Sequence, residues 1–391
     1  MPSQPPPGGP APADGCLSAD SLADLGRRGF GLYVHVPFCA TRCGYCDFNT
    51  YTALELGGAA SAANYADTAL AEVRLAARVL GEGVPKVQTV FFGGGTPTLL
   101  PAADLVGLLQ GLRREFEVSD GAEVTTEANP ESVDEAYLTR LRAGGFTRLS
   151  LGMQSAREHV LAVLERRHTP GRAGEVVAAA RRAGFDHVNL DLIYGTPGET
   201  ESDWQASLDA AVDAGVDHVS AYALIVEDGT RLAGQVARGR LPAPDDDVLA
   251  DRYEQAEQTL NDAGLGWYEV SNWAADRAAR SRHNELYWDS GDWWGIGPGA
   301  HSHVGGTRWW NVRHPAAYAD RLTAGRSPAQ AREVLDAAAR RTEHVLLGLR
   351  LRAGLPLDVL TPAGVAAACR AAGDGLVEPA QVAAGRVVLT L

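Results

Sequence analysis

The chain has 391 residues, 45% of them hydrophobic, and a formal net charge of −14 at neutral pH. That length suits one large domain with a smaller one beside it, and that apolar share can bury a sizeable core. The acidic balance argues against a nucleic-acid-binding protein, which needs basic residues to neutralise phosphates, and against attachment to anionic lipid by charge alone.

The N-terminus reads MPSQPPPGGPAPADG, with no basic start and no apolar stretch, so no secretory signal is expected. No run of about 18 apolar residues occurs, so no transmembrane helix is expected. Residues 1–28 are rich in Pro, Gly and Ala and read as a disordered tail. From Gly31 the pattern changes to alternating β-rich and helical stretches. Strands are predicted over 32–36, 87–92, 123–127, 148–153, 187–193 and 218–225. Between them Leu105, Leu108, Leu109, Leu112 and Phe116 form one apolar stripe at helical spacing. The stretches 62–80, 132–143, 157–165, 171–183 and 201–214 read the same way, with Gly144, Gly184 and Gly215 just past three of the ends. Six such units predict a parallel sheet, either an open sheet or a partial barrel, with helices packed outside. In both folds the site lies at the C-terminal ends of the strands. The chain's unusual motifs fall there. A cysteine loop follows the first strand and Gly93-Gly94-Gly95-Thr96 the second; Glu127 ends the third and Gln154 follows the fourth. Asp191 lies in the fifth, with Gly195 just beyond, and Tyr222 in the sixth. Residues 29–330 are read as this large domain, its mixed part 231–330 being rich in tryptophan. Residues 331–391 are read as a small, mainly helical C-terminal domain ending in the strand-like RVVLTL.

The five cysteines are Cys16, Cys39, Cys43, Cys46 and Cys369. An odd number with three clustered is a poor disulfide framework and suggests a reducing compartment and a metal. The cluster reads Cys39-Ala-Thr-Arg-Cys43-Gly-Tyr-Cys46, a C-x3-C-x2-C spacing. Soft thiolates select iron–sulfur clusters, zinc or copper(I). Three of them can grip three corners of a cubane and leave the fourth iron open. Structural zinc would need a fourth ligand, and His35 would have to reach back along a strand to supply it. The glycine turn permits close backbone approach, but it is not a phosphate loop, because no Gly-Lys-Ser/Thr follows.

In this order the motifs resemble the radical S-adenosylmethionine (SAM) family. The resemblance implies a partial parallel (β/α)6 barrel with a helical, winged-helix-like C-terminal domain. It also implies a [4Fe–4S] cluster on Cys39, Cys43 and Cys46, whose open iron binds SAM. Tyr33-Val-His-Val-Pro-Phe-Cys39 resembles the anaerobic coproporphyrinogen oxidase group within that family. By that likeness Tyr33, Tyr45, Gly94, Gly95, Thr96, Glu127, Gln154, Arg166 and Asp191 take the SAM-contacting positions. The chemistry agrees: carboxylates accept from ribose hydroxyls or an ammonium, and an arginine pairs with a carboxylate. Taken singly, each is equally a capping or surface charge.

The group has two branches, oxygen-independent coproporphyrinogen III oxidases and the HemW branch regarded as haem chaperones. Phe48 stands where the oxidases carry a further cysteine, and only a low-complexity tail precedes the loop where they have a substantial arm. His283-Asn284-Glu285-Leu286-Tyr287-Trp288 matches the HNxxY motif associated with haem binding, which makes His283 and Tyr287 the haem-binding candidates. The plainer reading of His283 is a satisfied structural histidine. The blocks 268–272 and 295–302 extend the HemW likeness; His301 and His303 could assist a haem but read first as hydrogen-bonding elements, and Cys16 and Cys369 as incidental. The resemblance implies a cytoplasmic haem carrier with peripheral membrane contact, serving membrane respiratory haem proteins, and a homodimer; no nucleic-acid partner is expected. The alternatives are coproporphyrinogen III decarboxylation by a deoxyadenosyl radical, or radical chemistry on an unrelated substrate.

Overall fold

The computed structural model describes residues 7–56 and 62–390. Six strands lie side by side in chain order: β1 (Phe30–Val36), β2 (Val87–Gly94), β3 (Val118–Ala128), β4 (Arg148–Gln154), β5 (His187–Tyr194) and β6 (His218–Ala223). All five pairings among them are parallel. Parallel neighbours need crossover connections, and helices such as Tyr65–Leu80, Ala102–Glu115, Glu135–Ala143, Arg172–Ala183 and Glu201–Asp213 supply them.

The sheet curves without closing. Past β6 it continues into a short antiparallel pair, β7 (Gly266–Glu269) and β8 (Asn272–Ala274), with β8 next to β6. Past β1 comes β9 (Asp292–Ile296), parallel to β1. The antiparallel strands β10 (His301–Val304), β11 (Thr307–Asn311) and β12 (Ala329–Val334) follow. The segment read from sequence as mixed therefore extends both edges of the sheet.

Successive side chains on a strand point to opposite faces, and the sequence obeys this with a twist. One face of the six strands is apolar: Leu32, Val34 and Val36, then Val90 and Phe92, Leu149 and Leu151, Val188, Leu190 and Leu192, all buried against the helices. The other face is largely polar: Tyr33 and His35, Thr89, Glu123, Thr125 and Glu127, Arg148 and Ser150, Asn189 and Asp191, His218 and Ser220. The polar face lines the inside of the curve. The expected stripe on Ala102–Glu115 packs on the outer face, with Leu105, Leu108, Leu109 and Leu112 all buried. Thr200 and Asp203 form a capping box at the start of Glu201–Asp213, and Gly184 ends Arg172–Ala183 in the left-handed conformation, φ 88°.

The C-terminal part packs helices Ala337–Gly348, Pro362–Gly373 and Pro379–Ala383 around a two-stranded wing of Leu355–Pro356 and Arg386–Val387. Leu355, Ala368, Val377 and Val387 make its own small core. The expectation of a disordered tail over 1–28 is corrected from residue 7 onward; residues 1–6 lie outside the described residues. Gly9–Pro10 pairs with β12, and Ser327 N–H donates to the Ala13 carbonyl at 2.7 Å. A short helix, Ala19–Asp24, follows, and the Ser21 hydroxyl reaches Thr307 at 2.7 Å. The unpaired edge of β12 explains this: an open strand edge captures even a Pro-rich segment when only two residues must pair. Among the described residues no helix is long and apolar enough to cross a membrane.

Leu108 is 1% exposed between its helix and the sheet. Leu108→Ala should lower stability by about 2–5 kcal/mol, read as a fall in thermal midpoint; an unchanged midpoint would mean that this contact does not hold the outer layer.

Candidate functional site

The cysteine loop leaves the C-terminal end of β1 and is fastened by backbone bonds from several directions. Cys39 N–H donates to the Tyr51 carbonyl at 3.0 Å, Thr96 N–H to Phe38 at 2.7 Å and Gly44 N–H to Leu164 at 3.1 Å, while the Gly44 carbonyl accepts from Leu232 N–H at 2.9 Å. The thiols of Cys39, Cys43 and Cys46 are free and half-buried. Burial pushes the Cys39 thiol up to about 11, with Cys46 and Cys43 adding to it, and burial raises Cys46 as well. Thiols so hard to ionise alone become thiolates when a bound metal supplies positive charge. Among the described residues no three His, Cys, Asp or Glu side chains converge on a single-ion site. A cubane, whose irons sit at separate corners, asks less convergence of its three thiolates than one tetrahedral zinc does, so the donor set suits a cluster better.

The glycine turn after β2 packs tightly on that loop. Gly94 has φ +112°, and a Cβ there would lie 2.6 Å from the His35 ring; one on Gly95 would lie 2.5 Å from the Phe38 carbonyl oxygen. The glycines are thus needed for protein packing as well as for any ligand's approach. Gly94 N–H donates to Glu127 Oε2 at 2.9 Å, which ties the end of β2 to the end of β3. Burial pushes Glu127 up to about 8, with the charge of Asp191 adding to it and the Gly94 bond opposing. Burial also raises Asp191, against hydrogen bonds from Ser150 at 2.9 Å and Asn189 at 2.7 Å. Glu127, whose charged neighbour is another carboxylate, favours a cationic ligand.

Arg166 stands beside Asp191 at the end of β4. Its guanidinium donates to the Gly152 carbonyl at 2.9 Å and to His168 at 2.8 Å, and Nη1 lies 3.6 Å from Cys43 Sγ. Asp191 is close enough to favour its charge, and Tyr45 and Cys43 pack beside it. Gln154 sits where the β4–β5 register slips, with φ 67°, a left-handed conformation uncommon for a side-chain-bearing residue. Such strain concentrates at functional positions.

Tyr33, Gly94, Glu127 and Tyr287 share the wall of one open cavity of about 590 Å³, whose far side carries Trp293, His301, Trp310 and Arg313. That volume lies within the roughly 300–1,000 Å³ of small-molecule sites. Asp47 and Phe48, next to Cys46, also line it. The structure therefore brings Tyr33, Gly94 and Glu127 to the cavity, and Arg166, Tyr45, Gln154 and Asp191 to the rim of β4 and β5 beside Cys43. It does not bring His283 to the wall. His283 is 1% exposed and lies one layer deeper on helix Arg282–Trp288. Its Nδ1 pairs with the Thr89 hydroxyl and its Nε2 with the Tyr287 hydroxyl, each at 2.8 Å, and its ring stacks on Phe91 at 5.1 Å. Burial pushes it down to about 3.

Several polar residues that build this region escaped the sequence reading. Glu123 accepts the backbone N–H groups of Arg282 and His283 at 3.1 and 3.0 Å, Arg148 donates to the Ala279 carbonyl at 2.7 Å, and His218 bridges Asn189 and Tyr268 at 2.7 and 2.8 Å. Their signal was the polar residue heading each of three predicted strands. Asn49 donates to the carbonyls of Pro298 and Arg313, both at 2.9 Å, and so ties the cysteine loop to the far wall.

An open six-stranded parallel half-barrel with a three-cysteine loop after its first strand is the architecture of a radical SAM protein, and residues 33–211 match the model of the Radical SAM superfamily. The chain is 54% identical over 91% of its length to the heme chaperone HemW of Mycobacterium tuberculosis, covering 90% of that protein. It is 33% identical to the heme chaperone HemW of Bacillus subtilis, covering 83% of this chain and 84% of that one. It thus belongs to the HemW family of radical SAM proteins. The same fold is seen in coproporphyrinogen III oxidase (HemN) from Escherichia coli, with a TM-score of 0.79 at 24% identity over 95% of this chain and 88% of that one. Membership implies a [4Fe–4S] cluster and SAM.

Glu127's pKa is raised from 4.5 to about 8, so the folded protein favours its protonated form. That contribution is complete below the unfolded value and is lost as pH rises through the folded one. The thermal midpoint of the ligand-free protein should fall between pH 6 and pH 9 by more in wild type than in Glu127→Gln; equal falls would remove Glu127 as the source.

Proposed function

We propose that this protein is a haem chaperone that holds a [4Fe–4S] cluster, SAM and haem and passes haem to acceptor haem proteins. The observation that carries the reading is the 54% identity, sustained over 91% of the chain, to a protein named a heme chaperone. The cavity supports it: one open chamber adjoins both the cysteine loop and a wall rich in tryptophan, tyrosine and histidine.

Cys39, Cys43 and Cys46 would hold the cluster, which when bound offers an open iron for SAM and a source of electrons. Around it the chain's own groups bind and orient. Glu127 and Asp191 would meet the cationic groups and ribose hydroxyls of SAM, and Arg166 its carboxylate. Tyr33, Tyr45, Gly94, Gly95, Thr96 and Gln154 shape the pocket between them. Tyr287 places the HNxxY helix on the cavity wall, and the sequence motif makes His283 the first candidate for haem. Membrane respiratory haem proteins are the proposed acceptors, met from the cytoplasm by peripheral contact, with a homodimer as the proposed assembly.

Two measurements test the reading. Arg166→Ala should weaken SAM binding to the reconstituted protein by about 1.5–3 kcal/mol, roughly ten- to hundredfold in Kd by calorimetry; unchanged affinity would remove Arg166 from the site. Haem-loaded protein mixed anaerobically with an apo-cytochrome should transfer its haem, seen as a shifted Soret band that elutes with the acceptor on gel filtration. Haem retained by the donor would count against a chaperone, and decarboxylation of coproporphyrinogen III by the reduced, SAM-loaded protein would establish the oxidase instead.

A further inference from the structure

An axial ligand to haem iron needs a ring nitrogen whose lone pair can turn toward the metal. The cavity wall offers two imidazoles, His35 and His301. His35 has both nitrogens engaged: Nε2 donates to the Asn49 carbonyl and Nδ1 accepts from the Tyr33 hydroxyl, each at 2.9 Å. That pairing holds the ring against Gly94, so turning it would undo the junction of β1 and β2. His283 is engaged at both nitrogens as well and lies behind Tyr287. His303 is outside the cavity lining, with Nδ1 donating to the Gly291 carbonyl at 3.1 Å and 3.3 Å from Asp292.

His301 differs from all three. Among the described residues none hydrogen-bonds its ring, and its side chain is exposed into the cavity. It is held from behind. Its ring stacks on Trp310 at 5.9 Å and 27°, its cross-strand partner in β10–β11. Its carbonyl accepts from Trp293 Nε1 at 2.9 Å. The enclosing walls, and then the nearby Arg308 and Arg313 charges, disfavour protonation of the imidazole, and the neutral form is the one that binds iron. A ligand on a paired strand is placed more accurately than one on a loop. Trp293 supplies aromatic surface beside His301, and Arg313, which already donates to Asn49 Oδ1 at 3.2 Å, is a cation on the same wall of the kind that pairs with carboxylates such as haem propionates.

We infer that His301, rather than His283, is the imidazole that ligates haem iron in this cavity, with Trp310 backing the imidazole and Trp293 beside the porphyrin. The inference rests on the haem-carrier reading above. It recasts His283 as a positioning residue that holds Tyr287 at the wall.

The test is a titration of ferric haem into the reconstituted full-length protein, read by the Soret band, low-spin electron paramagnetic resonance and gel filtration. Wild type, His301→Ala, His301→Gln and His283→Ala are compared, each checked for its cluster absorbance and melting temperature. Losing even an outer-shell partner of a metal ligand costs roughly 10–100-fold, so both His301 variants should bind at least about tenfold more weakly. They should lose the imidazole-type low-spin signal and regain it with added imidazole. His283→Ala should melt at a lower temperature, yet its folded fraction should bind haem with the wild-type spectrum. His301 variants that bind and look like wild type would overturn the inference while leaving the carrier reading intact, as would a folded His283→Ala that loses the signal. Absence of saturable binding in wild type would overturn the carrier reading and this inference together.

Discussion

The contact on which the rest of the site depends is the close approach of the Gly94–Gly95 backbone to His35 and Phe38. No side chain fits there, and Gly94 takes a conformation that L residues resist. Because the turn lies flat on the end of β1, Gly95 N–H reaches the Val36 carbonyl at 2.8 Å and Thr96 N–H the Phe38 carbonyl at 2.7 Å. These bonds set where the cysteine loop begins. Gly94 N–H also fixes Glu127 on β3. His35, pressed under the same glycine, fixes Asn49, and Asn49 fixes the segment that leads into β10. One steric constraint thus couples the cysteine loop, the carboxylate face and the far wall of the cavity.

A half-barrel with a polar lining is costly to build, since buried polar groups without partners destabilise by about 1–3 kcal/mol each. Here the lining is mostly paired within itself. Glu123 lies 3.9 Å from Arg148 and accepts from a helix N-terminus, Asn189 bridges Ser150, Asp191 and His218, and Tyr268 closes the chain of bonds by accepting from Ser281 N–H at 3.0 Å. A few groups remain unpaired among the described residues. Thr125 Oγ1 and, beside it, Arg148 Nη2 have no partner, nor does one nitrogen of His168, and Glu127 and Asp191 are held above their ordinary range. The paired groups serve as scaffold, and the two raised carboxylates mark the candidate site.

Local patterning made much of this legible. The six parallel strands announce themselves by short apolar runs with a period of two, and the Ala102–Glu115 stripe by its leucines, because both depend on neighbours in sequence. The cysteine loop was legible for the same reason, since three ligands within eight residues require no knowledge of the fold. What escaped depends on distant pairing. Trp293 and Trp294 fall in the stretch read only as mixed and rich in tryptophan, yet they lie on β9 because β1, more than 250 residues earlier, offers it an edge. Gly9–Pro10 has no strand propensity and pairs only because β12 leaves its edge open. The roles of Glu123 and Arg148 were hidden because a charge in a strand reads as solvent-facing until the sheet curves around it.

The HNxxY motif shows how a motif histidine can lie behind the cavity wall that its own helix builds. On a helix, positions four apart share a face, so His283 and Tyr287 meet, and their rings lie edge to face at 4.8 Å. Glu123 caps the start of that short helix by accepting two of its orphan N–H groups, which favours a negative charge at that end. His283 is then pressed among Tyr33, Phe91 and Thr89 from β1 and β2. In that place a neutral, doubly bonded imidazole works as a rigid connector: it transmits the position of two barrel strands to the Tyr287 hydroxyl. An imidazole that must take up and release iron needs the opposite surroundings, an open cavity and no competing hydrogen bond. The chain provides both kinds, and the environment of each ring, more than the motif that contains it, decides which role it can fill.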